Sequence, residues 1–312
     1  MSNGASAATA GSGKRLPPSP CVGICTMDDA SGFCCGCGRT GPEISEWPQA
    51  DAVTKQTIWR ALPGRLAGLD VTTFRLAAEP EDVAAFVATT LRSRAGRWLM
   101  GATGASASFV ANADTLIHDG PGAVTALNES GNALRILKHD RVRAFGATIG
   151  QTDGRMRAVV LALPRGRAEF EPCIGISQKL GDEAAIRVES CAKAIFDLAT
   201  RRRFSRLSIR LRDRTEMVRF VPFLGQPFEA VCKSLCALTD GVDIIAETAL
   251  GRIELTRPDS LDLRPMRAND CSVEERSSRA DALELIDLPQ AFAACAVFYA
   301  DDPEWLASQL TS

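Results

Sequence analysis

Residues 123–137 read AVTALNESGNALRIL, and this stretch decides what kind of fold the chain can adopt. Ala123 to Leu127 and Ala133 to Leu137 are short, mostly apolar runs of strand length. Between them stands Asn128-Glu129-Ser130-Gly131, four residues that favour a turn. Two such runs around a polar turn predict an antiparallel hairpin. A second hairpin is predicted just downstream, where Val142 to Thr148 and Arg155 to Leu163 flank Gln151-Thr152-Asp153-Gly154.

Working outward, further strands are expected at Arg97–Met100, Ala107–Ala111, Val242–Ala246, Arg252–Thr256 (after a turn at Gly251) and Phe292–Tyr299. Arg206–Arg212 alternates, with Leu207, Ile209 and Leu211 on one face. Pro80–Ser93 reads as a helix, because Val83, Phe86, Val87 and Leu91 share a face. A long helix is expected over Asp182–Thr200, with Ile186, Cys191, Ile195 and Leu198 as its apolar positions. Helices are also expected over Pro227–Leu238 and Pro303–Leu310, and residues 258–288 read as polar and irregular. Runs of hairpins broken by a few helices place residues 70–312 in the α+β class, as a mixed, mainly antiparallel domain without a wound parallel sheet.

The chain has 312 residues, 46% of them hydrophobic and 24% charged, with a formal net charge of -2. This composition suits a soluble globular protein with one large domain or two small ones. The near-neutral balance argues against a dedicated nucleic-acid binder, which would be basic. Only two histidines exist, His118 and His139, which excludes a multi-histidine metal site. Residues 1–20 lack the apolar core of a signal peptide, and no apolar run is long enough for a bilayer. The expected compartment is a reducing, bacterial-type cytoplasm, with no membrane partner.

Eleven cysteines cannot all pair within one chain, and five of them crowd into residues 21–37. The front end therefore reads in two parts. Residues 1–18 form a flexible tail with little to bury, and residues 19–69 form a distinct unit. Thr40 followed by Glu43 is a capping box, and Pro42 suits a first helical turn. Ile44 and Trp47 belong on the buried side of that short helix. A second helix is expected from Asp51 to Leu62, with Val53, Thr57, Ile58, Ala61 and Leu62 as its apolar stripe and Pro63-Gly64 as its end. Two short helices make too little core by themselves, so a staple such as a metal is expected.

The thiols are placed to be that staple. Cys21, Cys25, Cys34 and Cys37 follow the pattern C-x3-C-x8-C-x2-C, in which two close pairs joined by a short loop can converge on one point. Gly23, Gly36 and Gly38 allow the tight turns that aim backbone N–H groups at sulfur. Thiolates are soft donors, so the spacing admits zinc or an iron–sulfur cluster. Cys35 is the spare thiol, open to three roles: a core residue, a replacement ligand or a redox partner.

These residues carry a resemblance. Ser19-Pro20-Cys21, Gly23, Cys25, Gly32, Cys34, Gly36-Cys37-Gly38-Arg39-Thr40, Glu43-Ile44, Trp47, Trp59, Leu62-Pro63 and Arg65 resemble the bacterial "domain of unknown function 1289" family over residues 19–66. Members of that family are described as predicted iron–sulfur proteins, and its four cysteines fall on Cys21, Cys25, Cys34 and Cys37. The resemblance implies an iron–sulfur cluster with an electron-transfer or redox-sensing role. The alternative is a zinc-stapled interaction module attached to a ligand- or partner-binding α+β domain, with an unidentified protein as partner. Cys35 departs from the family pattern, where a variable and often charged residue is expected.

The remaining signals are weaker. Arg201-Arg202-Arg203-Phe204-Ser205-Arg206, with Arg210, Arg212 and Arg214, could bind an anion, but it reads better as a helix C-terminus followed by a strand with a solvated face. Cys232 and Cys236, four apart on a helix, read as core, as do Cys191 and Cys295, while Cys173 reads as an exposed loop thiol. His118-Asp119 and His139-Asp140 read as surface loops. Gly101 to Ser106 lacks the lysine of a phosphate loop, and no catalytic constellation is visible.

Overall fold

The computed structural model describes residues 16–102, 104–148, 155–170, 178–183, 186, 193–200, 202–211, 214–228, 230–231, 242–256, 261–262 and 286–310. Two antiparallel sheets dominate it. Sheet one has the order β1 (Thr73–Arg75), β7 (Arg143–Ala147), β8 (Ala158–Pro164), β15 (Phe292–Ala300), β2 (Gly96–Ala102), β3 (Ala105–Val110) and β14 (Leu261–Asp262). Sheet two has the order β4 (Leu116–Asp119), β5 (Ala123–Leu127), β6 (Ala133–Leu137), β13 (Gly251–Leu255), β12 (Val242–Thr248), β11 (Ser205–Leu211), β10 (Lys193–Asp197) and β9 (Gln178–Glu183). Both predicted hairpins are present: Ala123 pairs with Leu137, and Ala147 with Ala158. The turn at Gln151–Gly154 lies outside the described residues.

The sheets pack face to face because each carries one apolar face. Leu207, Ile209, Ile244, Ala246, Ile253 and Leu255 from sheet two join Trp98, Met100, Phe109, Val159, Leu161 and Phe298 from sheet one in a single core. Each large apolar side chain buried this way contributes about 1.5–3 kcal/mol. Trp98 sits 5.3 Å from Phe298, centroid to centroid, and its indole N–H donates to Thr90 Oγ1 at 3.1 Å, so the buried ring leaves no polar group stranded. The helix α3 (Pro80–Ser93) supplies Val83, Val87 and Leu91 to the same core and contacts β4, β5 and β7, where it bridges the two sheets. Cys295 is a core thiol, and burial raises its pKa to about 12.

Each sheet also has an outer face. On sheet one this face is apolar: Leu99, Phe145, Val160, Val297 and Tyr299 pack with Val22 of the front end. On sheet two it is charged. Arg210 is 1% exposed and makes a forked contact with Glu254, at 2.9 and 3.1 Å, with Asp243 at 3.4 Å. Arg252 Nε contacts the same Glu254 at 2.8 Å, and the Ile186 N–H donates to it at 3.0 Å.

Several expectations need correction. No helix runs from Asp182 to Thr200. The described residues there form β9 and β10, which pair antiparallel with each other, and Cys191 lies outside them. Ile195, Phe196 and Leu198 are buried because β10 is covered on both faces, and continuous burial imitates the helical period. Among the described residues of Arg206–Arg212, which end at Leu211, there is no solvated face either, since Ser208 and Arg210 are as buried as Leu207 and Ile209. His118 lies in a strand, β4, although exposed as expected, and His139 lies in a turn. Of Pro227–Leu238, Phe228, Ala230 and Val231 are helical, while Cys232 and Cys236 lie outside the described residues, as does Cys173. Within 258–288, Leu261–Asp262 forms β14 against β3. The short helices α4 (Arg165–Ala168) and α5 (Arg214–Phe220) had no clear signature, whereas the terminal helix α6 spans Pro303–Leu310 as predicted. Among the described residues, no helix is long and apolar enough to cross a membrane.

Candidate metal centre

The front end folds from the capping box outward. Thr40 caps α1 (Gly41–Glu46): the Glu43 N–H donates to its hydroxyl at 3.3 Å, and its own N–H donates to Glu43 at 2.9 Å. The second helix, α2, spans Ala52–Ala67 and is capped by Asp51, which accepts from the Thr54 N–H. It does not stop at Pro63-Gly64. The last turn carries Leu66, 2% exposed, and Arg65, whose guanidinium grips Glu43 at 2.6 and 3.0 Å and Gly38 O at 3.2 Å. These tertiary contacts outweigh the one backbone bond that proline removes. The buried stripe is Lys55, Ile58, Trp59, Leu62 and Leu66, while Val53 faces water at 67% exposure. Trp47 is buried as expected and Ile44 half-buried. The tail is engaged by Pro18, whose carbonyl accepts from Trp59 Nε1 at 2.9 Å.

The cysteines sit on two turns. The second is a tight knuckle: the Gly38 N–H donates to Cys34 O at 2.7 Å and the Cys34 N–H to Arg39 O at 2.8 Å. Single antiparallel bridges join Met27 to Cys34 and Phe33 to Thr40. Asp28 belongs to this scaffold, since the Ser31 hydroxyl and N–H both donate to its carboxylate at 2.7 Å and hold its pKa below the usual value. Gly36 closes the two turns on each other. A Cβ there would stand 2.8 Å from Ile24 Cβ and 2.9 Å from Ile24 O, closer than atoms tolerate. Gly38 has φ +71°, and a Cβ would press on Leu66 at 3.1 Å.

The structure places the predicted ligands unequally. Cys34 and Cys37 are buried, Cys21 and the spare Cys35 half-buried, and Cys25 exposed. Among the described residues, no three or more His, Cys, Asp or Glu side chains stand grouped as a metal site. The Cys34 thiol instead donates to Ile24 O at 3.3 Å, and the Gly23 N–H donates to Cys21 Sγ at 3.4 Å.

The electrostatics around these sulfurs are one-sided. Arg39 is 4% exposed, its Nε donates to Cys37 Sγ at 3.4 Å, and its guanidinium stacks on Trp47 at 5.0 Å. No carboxylate pairs with it among the described residues. Lys55, also buried, lies 5.6 Å from the same ring. Burial pushes the Cys37 thiol up, opposed by Arg39 and reinforced by neighbouring Cys34. Arg75 donates to the carbonyls of Ser19 and Cys21, the latter at 3.1 Å, and its pKa falls to about 10 through burial and the nearby Arg143. Sequence reasoning did not single out Arg39, Lys55 or Arg75; an arginine directly after a cysteine–glycine knuckle was the available signal.

The Glu43–Arg65 pair makes the module acid-sensitive. Burial opposes the charged carboxylate, but Arg65 and the Thr40 N–H outweigh it and hold the Glu43 pKa low. A lowered folded-state pKa gives stability that is complete above the unfolded value and is lost as pH falls through the folded one. Charge-assisted bonds of this kind contribute on the order of 1.5–3 kcal/mol. The protection of amides in α1 and α2, taken relative to the intrinsic exchange rate at each pH, is therefore expected to fall below about pH 4 in the wild type. Glu43→Gln should already exchange faster at neutral pH and lose little more in acid.

Two family profiles match the chain. "Protein of unknown function (DUF1289)" matches residues 19–66, the span just described. "Family of unknown function (DUF6925)" matches residues 82–266, from α3 to β14, which takes in all of sheet two and leaves β1 and β15 of sheet one outside. No curated protein matches, and no solved structure matches. Because the second profile spans more than half of its length, the chain belongs to the DUF6925 family.

Proposed function

We propose that residues 19–67 hold a metal centre on Cys21, Cys25, Cys34 and Cys37, with Cys35 as substitute ligand, and that its first occupant is an iron–sulfur cluster. The observation that carries this reading is Arg39: a guanidinium 4% exposed, whose one sulfur contact is Cys37 and which no carboxylate balances among the described residues. A buried cation without a counter-ion is costly. A thiolate cluster supplies the missing negative charge, and guanidinium and backbone N–H donors at sulfur are what such centres use. Gly36 fits the same reading, because it packs the two cysteine turns together without the metal's help.

The chain's own residues do the preparatory work. Loading requires Cys34 to release Ile24 O and each ligand thiol to give up its proton, a loss that Arg39 favours at Cys37. Trp47 and Trp59 keep water from the knuckle side. When bound, a cluster supplies one-electron chemistry, for electron transfer or redox sensing in a reducing cytoplasm. A second reading, zinc, is favoured by the tight Cys34–Gly38 hairpin, a geometry that suits a structural ion. The module would then be an interaction element beside a ligand- or partner-binding sandwich.

Protein purified without oxygen tests both. Iron with matching acid-labile sulfide and a brown colour supports the cluster. Colourless protein with bound zinc replaces it with the second reading. Protein that takes up neither metal, or keeps its metal when all four cysteines are serine, overturns the site.

A further inference from the structure

A second site lies outside the cysteine module, at one end of the sandwich. There β8 ends, β15 begins, β2 ends and β11 begins, and the four strand ends surround a cavity of about 550 Å³. The volume is in the range of pockets that hold small organic molecules. Its polar lining comes from the arginine-rich stretch ahead of β11 and from Arg165 at the start of α4.

The arginines there are not equivalent. Arg203 contacts Glu169 at 2.7 Å, so its charge is balanced. Arg165 stacks on Phe204 at 5.0 Å and has no carboxylate partner among the described residues. Stacking occupies the face of a guanidinium and leaves its in-plane N–H edge open, the edge that matches a carboxylate or phosphate in a two-point contact. Ser205 also lines the cavity, is 7% exposed, and its hydroxyl makes no hydrogen bond among the described residues. Asp287 shares the lining; it and Arg165 are both exposed, so water screens the two charges alike, and the guanidinium fork, not net charge, is what favours an oxyanion here. Ile286, Leu288 and Phe292 add an apolar wall.

We propose that this cavity binds a small organic anion, with its carboxylate or phosphate on Arg165 and Ser205 and its apolar body against Ile286 and Phe292. The apolar wall distinguishes this ligand from a bare inorganic ion. The site is independent of the metal centre, and either can fail alone.

Calorimetric titration of the full chain with benzoate and with phenyl phosphate, against neutral benzyl alcohol, tests the proposal. At least one anion should bind saturably, and which one does so identifies the oxyanion; benzyl alcohol should not bind. Arg165→Ala should weaken binding about tenfold or more, with Arg165→Lys in between, because lysine keeps the charge and loses the fork. Arg165 is exposed, so its replacement leaves the fold intact, and an unchanged melting curve verifies this. The proposal is overturned if both anions bind more weakly than about 10 mM, if the alcohol binds equally, or if Arg165→Ala binds like the wild type.

Discussion

Glu254→Ala is expected to cost about 3–5 kcal/mol, close to the whole stability margin of a marginal domain. The carboxylate is 3% exposed and is shared by Arg210, Arg252 and the Ile186 N–H. Removing it leaves two guanidiniums buried, with Arg210 keeping only the longer contact to Asp243 at 3.4 Å. Burial alone would lower the Arg210 pKa, but Glu254 and Asp243 reverse this and push it up. The charge therefore stays, and in the variant only Asp243 remains to compensate it. Urea unfolding measures the loss. Glu254→Gln should cost less, since an amide oxygen still accepts from Arg210. Combining Glu254→Leu with Arg210→Met should recover much of the stability, because the penalty comes from a stranded charge more than from a lost attraction. If the single and double variants melt alike, the network is not what holds β11, β12 and β13.

Gly36→Ala should have the largest effect on the cysteine module. The added methyl meets both Ile24 Cβ and the Ile24 carbonyl, and the second of these is backbone that cannot swing aside. The two cysteine turns must separate. The Cys34 thiol, 0% exposed in the native protein, then becomes open to a small thiol reagent. Its modification rate in metal-free protein should rise at least tenfold, a change of about 1.4 kcal/mol in the opening equilibrium. Metal content after reconstitution should fall in parallel. Gly41→Ala is the control: its Cβ would meet nothing within 4 Å, and neither readout should move. Equal reactivity of Cys34 in the wild type and Gly36→Ala would mean that the turns are not packed as described.

The sequence was most legible where local chemistry and tertiary structure agree. The Thr40–Glu43 capping box, the Asn128–Gly131 hairpin turn and the apolar face of α3 each follow from neighbours within a few residues, and all three are present. It was least legible at β10. Buried on both faces, Ile195, Phe196 and Leu198 lack the alternation that marks a half-exposed strand, and the partners that make them a strand are distant in sequence. The same blindness applies to Arg210. Its partner Glu254 lies 44 residues along the chain, so the sequence around Arg210 suggested a solvated face where the structure has a buried ion pair. At the candidate metal centre, spacing named the cysteines as candidate ligands and placed Arg39 two residues from Cys37. Lys55 and Arg75 had no such signal, because α2 brings Lys55 to Trp47 and β1 brings Arg75 to the Cys21 carbonyl.

The position of β15 in sheet one bears on how the chain is made. Residues 292–300 occupy the middle of that sheet, between β8 and β2, and the cysteine end rests on its outer face through Val22, while Arg75 of β1 donates to the Cys21 carbonyl. A nascent chain leaves the ribosome front end first, yet the surface on which that front end rests is incomplete until residues 292–300 have been translated. The knuckle therefore stays undocked until β15 has been made, and Val22 stays open to solvent throughout that interval.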